Sequence, residues 1–459
     1  MSVSNTGILT YNSGVYNLLL NYNAPSSTIG STGSILGTVY CFLSKVDPWP
    51  VEDVPPAPLQ TQTYIKDVFK GMFVAKKVTT NDMTPVIQRV NWTSGTVYSY
   101  YRDNIDMFEL AEDGGLVNKF YVKNRFDQVF KCLWNNNGEA STVEPIFEPG
   151  TYNANQIFQG ADDYKWKYIY SITSGNKIKF MDDSWMPVPM GNTIPNPIFN
   201  SVGVGSIDVI NITNTGSGYD EANALITLTI EGDGRDASGN VVVVAGEITD
   251  VLIANTGSNY SYANVTISSS IGSGATAVAS ISPIGGHGYN PVSELGARNI
   301  MITATFDEDE DNNLPTDIDY RQVGLLVNPY NKFGNNYAIA NAEIYRTTTN
   351  LVLSSGFGAY APDEIVFQSA TGLIADATFK AKVLSFDSTN NILKLINIEG
   401  TILVNTILYS SISGTTRVAL QEQPPSFVKN SGYITYLVNR PPIQRGADGS
   451  EQFKLVLGY

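Results

Sequence analysis

The chain repeats itself between about residues 201 and 299. GSIDVINITNTGSGYDEANALITL (Gly205 to Leu228) aligns with GEITDVLIANTGSNYSYANVTISS (Gly246 to Ser269), a period of 41 residues. The alignment matches Ile207 to Ile248, Asn214 to Asn255, Gly216 to Gly257, Tyr219 to Tyr260 and Asn223 to Asn264. Each copy reads as a strand, a turn whose glycine accepts positive φ, a tyrosine closing over the turn, and a second strand. One such unit cannot bury a face alone, so the copies must stack. A degenerate third copy of the Gly-x-Gly-Tyr element is expected at Gly286-His287-Gly288-Tyr289.

The rest of the chain is also mostly β, with short Tyr, Thr, Ile and Val runs cut by Gly, Asn, Asp and Ser. From about 346 to 420, YAPDEIVFQ, TFKAKVLSFDSTNNILKLINIEG and SISGTTRVAL read as strand, hairpin and strand, enough for a small barrel turning at Asp387 to Asn391. One segment differs. In TYIKDVFKGMFVAKK, Ile65, Val68, Phe69, Met72 and Phe73 follow helical spacing and predict an amphipathic helix covering a sheet. The resulting fold class is mainly β with a minor α+β part. It is multi-domain, with β-barrel-like and β-sandwich-like domains inserted into an α+β domain formed by both chain ends. The expected divisions are 1–200 (aromatic-rich α+β and β core), 201–299 (Gly/Tyr β-repeat insertion), 300–345 (return to the core), 346–420 (small barrel-like insertion) and 421–459 (C-terminal strands completing the core).

Charge narrows the partners. A net charge of −15 argues against a surface that tracks phosphates or an anionic membrane, which needs clustered Lys and Arg. No segment reaches the roughly 18 apolar residues of a membrane span. The start MSVSNTGILTYNSG lacks the basic end and apolar run of a secretory signal, so assembly in a cytoplasm is expected. Only 15% of the 459 residues are charged, below the usual level of about 25%. Much of the surface is therefore neutral, aromatic or covered by other molecules.

Motifs for chemistry are sparse. Zinc requires closely spaced Cys and His, and this chain has only Cys41, Cys132 and His287. His287 lies in the turn GGHGYNP beside no serine nucleophile motif and reads as a turn or capping residue. IEGDGRDASGN resembles a phosphate loop only in its glycines, with no Gly-Lys-Ser/Thr following, and reads as a hairpin tip. The acid pairs Asp162-Asp163 and Asp182-Asp183 and the run Asp307 to Asp311 are the carboxylate candidates for glycoside hydrolysis, which needs two carboxyls roughly 5 to 10 Å apart, a geometry that sequence does not supply. The run Asp307 to Asp311 lacks calcium-loop order and reads as a solvated loop. No catalytic residue, metal ligand or cofactor site is assigned, and the chain is expected not to be an enzyme.

Aromatic side chains are plentiful, and all five tryptophans (Trp49, Trp92, Trp134, Trp166, Trp185) fall in the first 190 residues. Most serve a core by default; Trp49 and Trp166 are assigned to a candidate interface. In DDYKWKYIYSI, alternation puts Tyr164, Trp166, Tyr168 and Tyr170 on one strand face and Lys165, Lys167 and Ile169 on the other. One face should pack and the other should meet something polar.

Four stretches in order carry a family resemblance: SKVDPWP (Ser44 to Pro50), DDYKWKYIYSI (Asp162 to Ile172), YRQVGLLVNP (Tyr320 to Pro329) and SGYITYLVNRPPI (Ser431 to Ile443). Together they resemble the baseplate wedge protein, gene 8 product type, of T-even-like contractile-tail phages. The helix expected at Tyr64 to Val78, followed by PVIQRVNW, is similar to a helix and Arg-x-x-Trp-like stretch of that family. This chain is longer, in a form similar to the wedge proteins of cyanobacterial and marine myophages. The resemblance implies a non-enzymatic structural virion protein of the tail baseplate. It implies a homodimer that links other wedge proteins during assembly and rearranges with them when the sheath contracts.

The C-terminal stretch SGYITYLVNRPPIQRGADGSEQFKLVLGY reads as two β runs split by Arg-Pro-Pro. The proline pair removes two ladder donors, which suits an edge strand or interface. Tyr433, Tyr436, Asn439, Arg440, Pro441, Pro442 and Ile443 complete the candidate interface with Trp49 and Trp166. A rival expectation is a carbohydrate-binding tail adhesin built on the Tyr- and Asn-rich repeats.

Overall fold

The computed structural model describes residues 38–149, 157–190, 205–222, 225–283, 286–311, 313–333, 336–446 and 449–458. The N-terminal MSVSNTGILTYNSG and Asn223 of the repeat alignment lie outside these residues. The protein is mainly β and multi-domain, with strands in about half of its residues. Two compact units result: Met1–Met83 with Ile302–Tyr459, and Thr84–Met301. The division differs from the expected one over residues 84–200, which group with the repeats rather than with the chain ends. The physical reason is direct bonding within the second unit, such as Asn211 Nδ2 to the Leu133 carbonyl at 2.9 Å.

In the first unit, five antiparallel strands run in the order Ile344–Arg346, Met72–Val78, Val39–Ser44, Ile318–Val327, Tyr433–Arg445. The helix Gln62–Gly71 opens with the Thr61 hydroxyl accepting from the Tyr64 amide. It buries Val68 and Phe69 in a cluster with Tyr40, Phe42, Ala75 and Leu437. It is shorter than the periodicity predicts: Met72 and Phe73 belong to the following strand. Gly71 forms the junction, because its carbonyl accepts the Lys45 amide at 3.0 Å and a Cβ there would lie 2.2 Å from the Lys45 oxygen. The β-favouring run MFVAKKV then pairs with Val39–Ser44 rather than extending the helix.

Six further strands, Thr349–Leu353, Ile365–Gln368, Phe379–Asp387, Ile392–Gly400, Thr406–Ser410 and Thr416–Gln423, close into a barrel. Alternate residues fill it: Leu351, Val366, Phe379, Val383, Leu393, Leu395 and Leu408 are buried together. At the predicted turn, Asp387 Oδ1 accepts the amides of Thr389 and Asn390, and Asn391 adopts φ 55°.

The C-terminal stretch breaks elsewhere than at Arg-Pro-Pro. The strand Tyr433–Arg445 continues through the prolines, and the next strand, Ser450–Gly458, neighbours Asn299–Asp307 in another sheet. Tyr320 pairs with Ile443 and Gln322 with Asn439, so Arg321 faces the three residues Arg440 to Pro442 in a bulge. The bulge absorbs the missing donors, and the strand lies at the sheet edge.

In the second unit, a sheet of Tyr121–Lys123, Gln128–Asn135, Tyr164–Ser171 and Ile157–Gln159, in that order, buries Phe130, Tyr164 and Trp166 with Tyr98. The repeats form a two-fold-like exchange. The Tyr219 amide donates to the Gly246 carbonyl and the Tyr260 amide to the Gly205 carbonyl, both at 3.0 Å. Each tyrosine of one copy thus bonds the first glycine of the other. The copies' second strands, Ile226–Gly232 and Ala263–Ser269, pair antiparallel, while the first strands take different partners, Thr276–Ile281 and Arg235–Val244. Gly216 and Gly257 hold φ 61° and 63°, and a Cβ at either would meet backbone within 2.6 Å. Tyr219 and Tyr260 are buried, their hydroxyls accepting the amides of Ala275 and Ala237. The third Gly-x-Gly-Tyr element behaves differently. Gly286 and Gly288 hold φ 88° and 86°, but Tyr289 is exposed and His287 turns inward.

The Gly71 junction generates a test. Gly71→Ala should destabilise the first unit by about 3 kcal/mol, from the clash with the Lys45 carbonyl. Gly175→Ala, where an added methyl meets nothing within 4 Å, should be neutral or slightly stabilising. Urea unfolding followed by circular dichroism distinguishes them; equal midpoints for the two variants would refute the close-approach account.

Candidate functional site

Three of the stretches that carry the family resemblance meet in the first unit. Val39–Ser44 ends at Ser44, and the chain leaves through Lys45 to Pro50. Lys45, almost wholly buried, places its ammonium 2.5 Å from Asp319 and 2.8 Å from Asp363, so it joins the central strand to the barrel. Lys382 on the barrel returns the contact, 2.7 Å from Asp47 and 3.3 Å from Asp363. Arg321 grips Glu52 with two nitrogens, at 2.9 and 3.1 Å, and also bonds Asp319. Trp49 Nε1 donates to the Arg440 carbonyl at 2.8 Å, pinning the loop to the bulged edge strand.

Asn439 organises the other side. Its Oδ1 accepts from Gln322 Nε2 at 2.9 Å and from the Tyr64 hydroxyl at 3.0 Å, and its Nδ2 donates to the Pro56 carbonyl at 2.8 Å. One amide thereby ties the edge strand to the central strand, the helix and the 51–61 loop. Burial alone would raise Asp319, but the hydrogen bond and charge of Lys45, with Arg321, hold it below the usual carboxylate range. Burial would lower Lys382, yet Asp47 and Asp363 raise it.

The candidate interface residues divide. Tyr433 is 74% exposed, Arg440 and Pro441 are exposed, and Tyr436, Pro442, Ile443 and Trp49 are half-buried. These lie on one edge strand and the loop bonded to it. Asn439 is buried and works inside the junction. Trp166 is wholly buried in the second unit, stacked on Tyr164 at 5.5 Å and edge-on to Tyr98 at 5.7 Å, so it offers no surface to a partner. The core need for a large ring there outweighs an interface role.

The polar face of DDYKWKYIYSI is not a solvent face. Lys165 and Lys167 are buried, and Lys165 meets Asp250 at 2.8 Å. Lys131, paired in register with Lys167, reaches Glu294 at 2.9 Å and His287 Nδ1 at 3.1 Å, while Nδ1 lies 3.0 Å from Glu294. The Tyr101 ring sits 3.4 Å from the Lys131 nitrogen. Burial pushes Lys131 down, partly opposed by Glu294. Burial would raise Glu294, but Lys131 and His287 bring it to about 2. Burial first, and then Lys131, lower His287 and keep it neutral. The sequence offered no sign of this cluster beyond a glycine on each side of His287, because Lys131 is 156 residues away.

One acid of each pair is occupied by backbone amides. Asp162 Oδ2 accepts from the Thr142 and Val143 amides, and Asp182 Oδ1 from Ser184 and Trp185. Glu310 pairs with Lys76 at 2.6 Å. Among the described residues, no group of three or more His, Cys, Asp or Glu is arranged to hold a metal ion, and no helix is long and apolar enough to cross a membrane. Cys41 and Cys132 are both free and buried.

His287 is the chain's single histidine, so its effect on stability can be isolated. Its folded pKa lies below the unfolded value of 6.5, so its stabilisation is complete above pH 6.5 and is lost as pH falls through the folded pKa. Below 6.5 the loss should approach about 1.4 kcal/mol per pH unit, and His287→Gln should remove that slope. Denaturant melts of both proteins between pH 8 and 5 check this; parallel pH profiles would refute it. No protein-family model matches the chain, and no curated protein matches it.

Proposed function

We propose that this chain is a structural subunit of the baseplate wedge of a contractile phage tail. In this reading it is a homodimer that links other wedge proteins in the virion and takes part in the rearrangement accompanying sheath contraction. It performs no catalysis and binds no cofactor. The observation that carries the reading is the junction itself: SKVDPWP, YRQVGLLVNP and SGYITYLVNRPPI, far apart in sequence, meet where Trp49 donates to the Arg440 carbonyl, Gln322 donates to Asn439, and Ser44 and Asn439 both pair with Gln322 in the sheet. Resembling stretches scattered by chance would have no reason to share one hydrogen-bonded surface.

The junction also suits the task. A subunit that transmits movement needs rigid elements and a defined edge for its neighbours, and Tyr433, Arg440 and Pro441 remain available on such an edge. An adhesin built on the repeats would have to bind without the buried rings of Tyr219 and Tyr260 and would rely on the exposed Tyr262.

Light scattering tests the proposal. The purified chain should run as a dimer, and mixing it with the other candidate wedge proteins of its phage should give one defined larger complex. Arg440→Ala should lose that complex while its melting temperature stays within about 2 °C. A monomer that ignores those proteins would overturn the reading. Loss of both complex and melting transition in Arg440→Ala would make the residue part of the core rather than a contact.

A further inference from the structure

The cluster in the second unit holds the parts of a condensation reaction, and the geometry points to an intramolecular amide bond between the side chains of Lys131 and Glu294. The two are 163 residues apart in sequence and 2.9 Å apart in space. Lys131, Glu294 and His287 have side chains that are 0%, 1% and 1% exposed. This inference concerns a site separate from the proposed interface and does not depend on the wedge reading.

Three features distinguish the cluster from an ordinary buried ion pair. The third group, His287 Nδ1, reaches both reacting groups, at 3.1 Å from the Lys131 nitrogen and 3.0 Å from Glu294 Oε1. A general base for the amine and a general acid for the departing oxygen are therefore the same atom. The second carboxylate oxygen, Oε2, accepts the Gly288 amide at 2.5 Å, where a fixed donor stabilises the negative oxygen of a tetrahedral intermediate. The Tyr101 ring closes over the nitrogen at 3.4 Å and helps exclude water, which would otherwise reverse the reaction.

The chemistry balances without an outside reagent. The starting pair is an ammonium and a carboxylate. His287 takes one proton from Lys131, and the freed amine attacks Cδ of Glu294. The Nζ–Cδ bond forms, and negative charge gathers on Oε2 opposite the Gly288 amide. His287 returns its proton to Oε1, and the nitrogen supplies a second one. The Cδ–Oε1 bond breaks, and Oε1 leaves as water. One amide hydrogen remains, His287 is regenerated, and nothing is oxidised or reduced.

Burial supplies the drive. Two charges held in a dry site carry a desolvation cost that their attraction only partly offsets, and a neutral amide carries far less. Held contact replaces a bimolecular encounter, which is worth several orders of magnitude in rate. The bond would tie the strand Gln128–Asn135 to the helix Pro291–Glu294 and close most of the second unit into a covalent loop.

Tryptic peptide mapping of the full chain after denaturation is decisive. Trypsin does not cleave beside an acylated lysine. The expected product joins Phe126–Lys165, uncleaved at Lys131, to Asp236–Arg298, with the loss of one water. In His287→Gln the joined peptide should fall at least about tenfold in protein of the same age. In Lys131→Arg it should be absent. Recovery of wild-type peptides ending at Lys131, with Asp236–Arg298 unmodified, would make the cluster an ion pair only and overturn the proposal. An undiminished joined peptide in His287→Gln would overturn the role assigned to the histidine. Because the wild-type map decides the first point, a variant that fails to fold leaves the test intact.

Discussion

The first unit depends on one strand being paired on both sides. Ile318–Val327 receives Val39–Ser44 along one edge and Tyr433–Arg445 along the other. Both partners come from far away in the chain, so their backbone bonds close very long loops. Such closure costs entropy that grows only slowly with loop length, and the buried contacts of Tyr40, Phe42, Leu326 and Leu437 offset it. Once the three strands pair, the positions of SKVDPWP and of the bulged prolines are set. The helix lies over the same cluster, and the ion pairs of Lys45 and Lys382 hold the barrel to the strand ends.

Charge is scarce in this chain and much of it is used inside. Lys45, Lys131, Lys165, Lys167, Arg321 and Arg445 are all buried. Arg445 shows the pattern: its Nε meets Glu451 at 2.9 Å and its guanidinium also bonds the carbonyls of Glu308 and Gly449. A buried cation is tolerable only when its partners are in place, so each such contact stabilises one arrangement of strands over alternatives. The excess of acids stays outside, consistent with the net charge of −15. The low charged fraction thus reflects an interior built on paired cations as well as an uncharged surface.

Where local pattern and fold disagree, a long-range contact explains the difference. Helical spacing runs through Met72 and Phe73, yet the helix stops at Gly71 because the Lys45 carbonyl leaves no room for a side chain and the next residues have a strand to pair with. Alternation in DDYKWKYIYSI set Lys165 and Lys167 on a face that meets something polar, and the fold supplies it from within the unit: Asp250 at 2.8 Å from Lys165, and Asp208 and Glu294 acting on Lys167. The prolines of Arg-Pro-Pro seemed to end a strand, but a bulge opposite Arg321 carries the strand past them. Trp166 resembled an interface aromatic, and only its rings' neighbours, Tyr98 and Tyr164, placed it in a core.

What the sequence by itself determined was set by local stereochemistry and periodicity. The mainly β class, the barrel region, the Asp387 turn, the glycine turns of the repeat and the period of 41 residues follow from side-chain alternation and from positions that only glycine fills comfortably. Tertiary structure alone decided which repeat bonds which, that residues 84–200 group with the repeats, and that Lys131, His287 and Glu294 share one dry site. The physical reason is separation. Groups more than a hundred residues apart leave no mark on each other's local sequence, and their meeting is chosen by the packing of whole sheets.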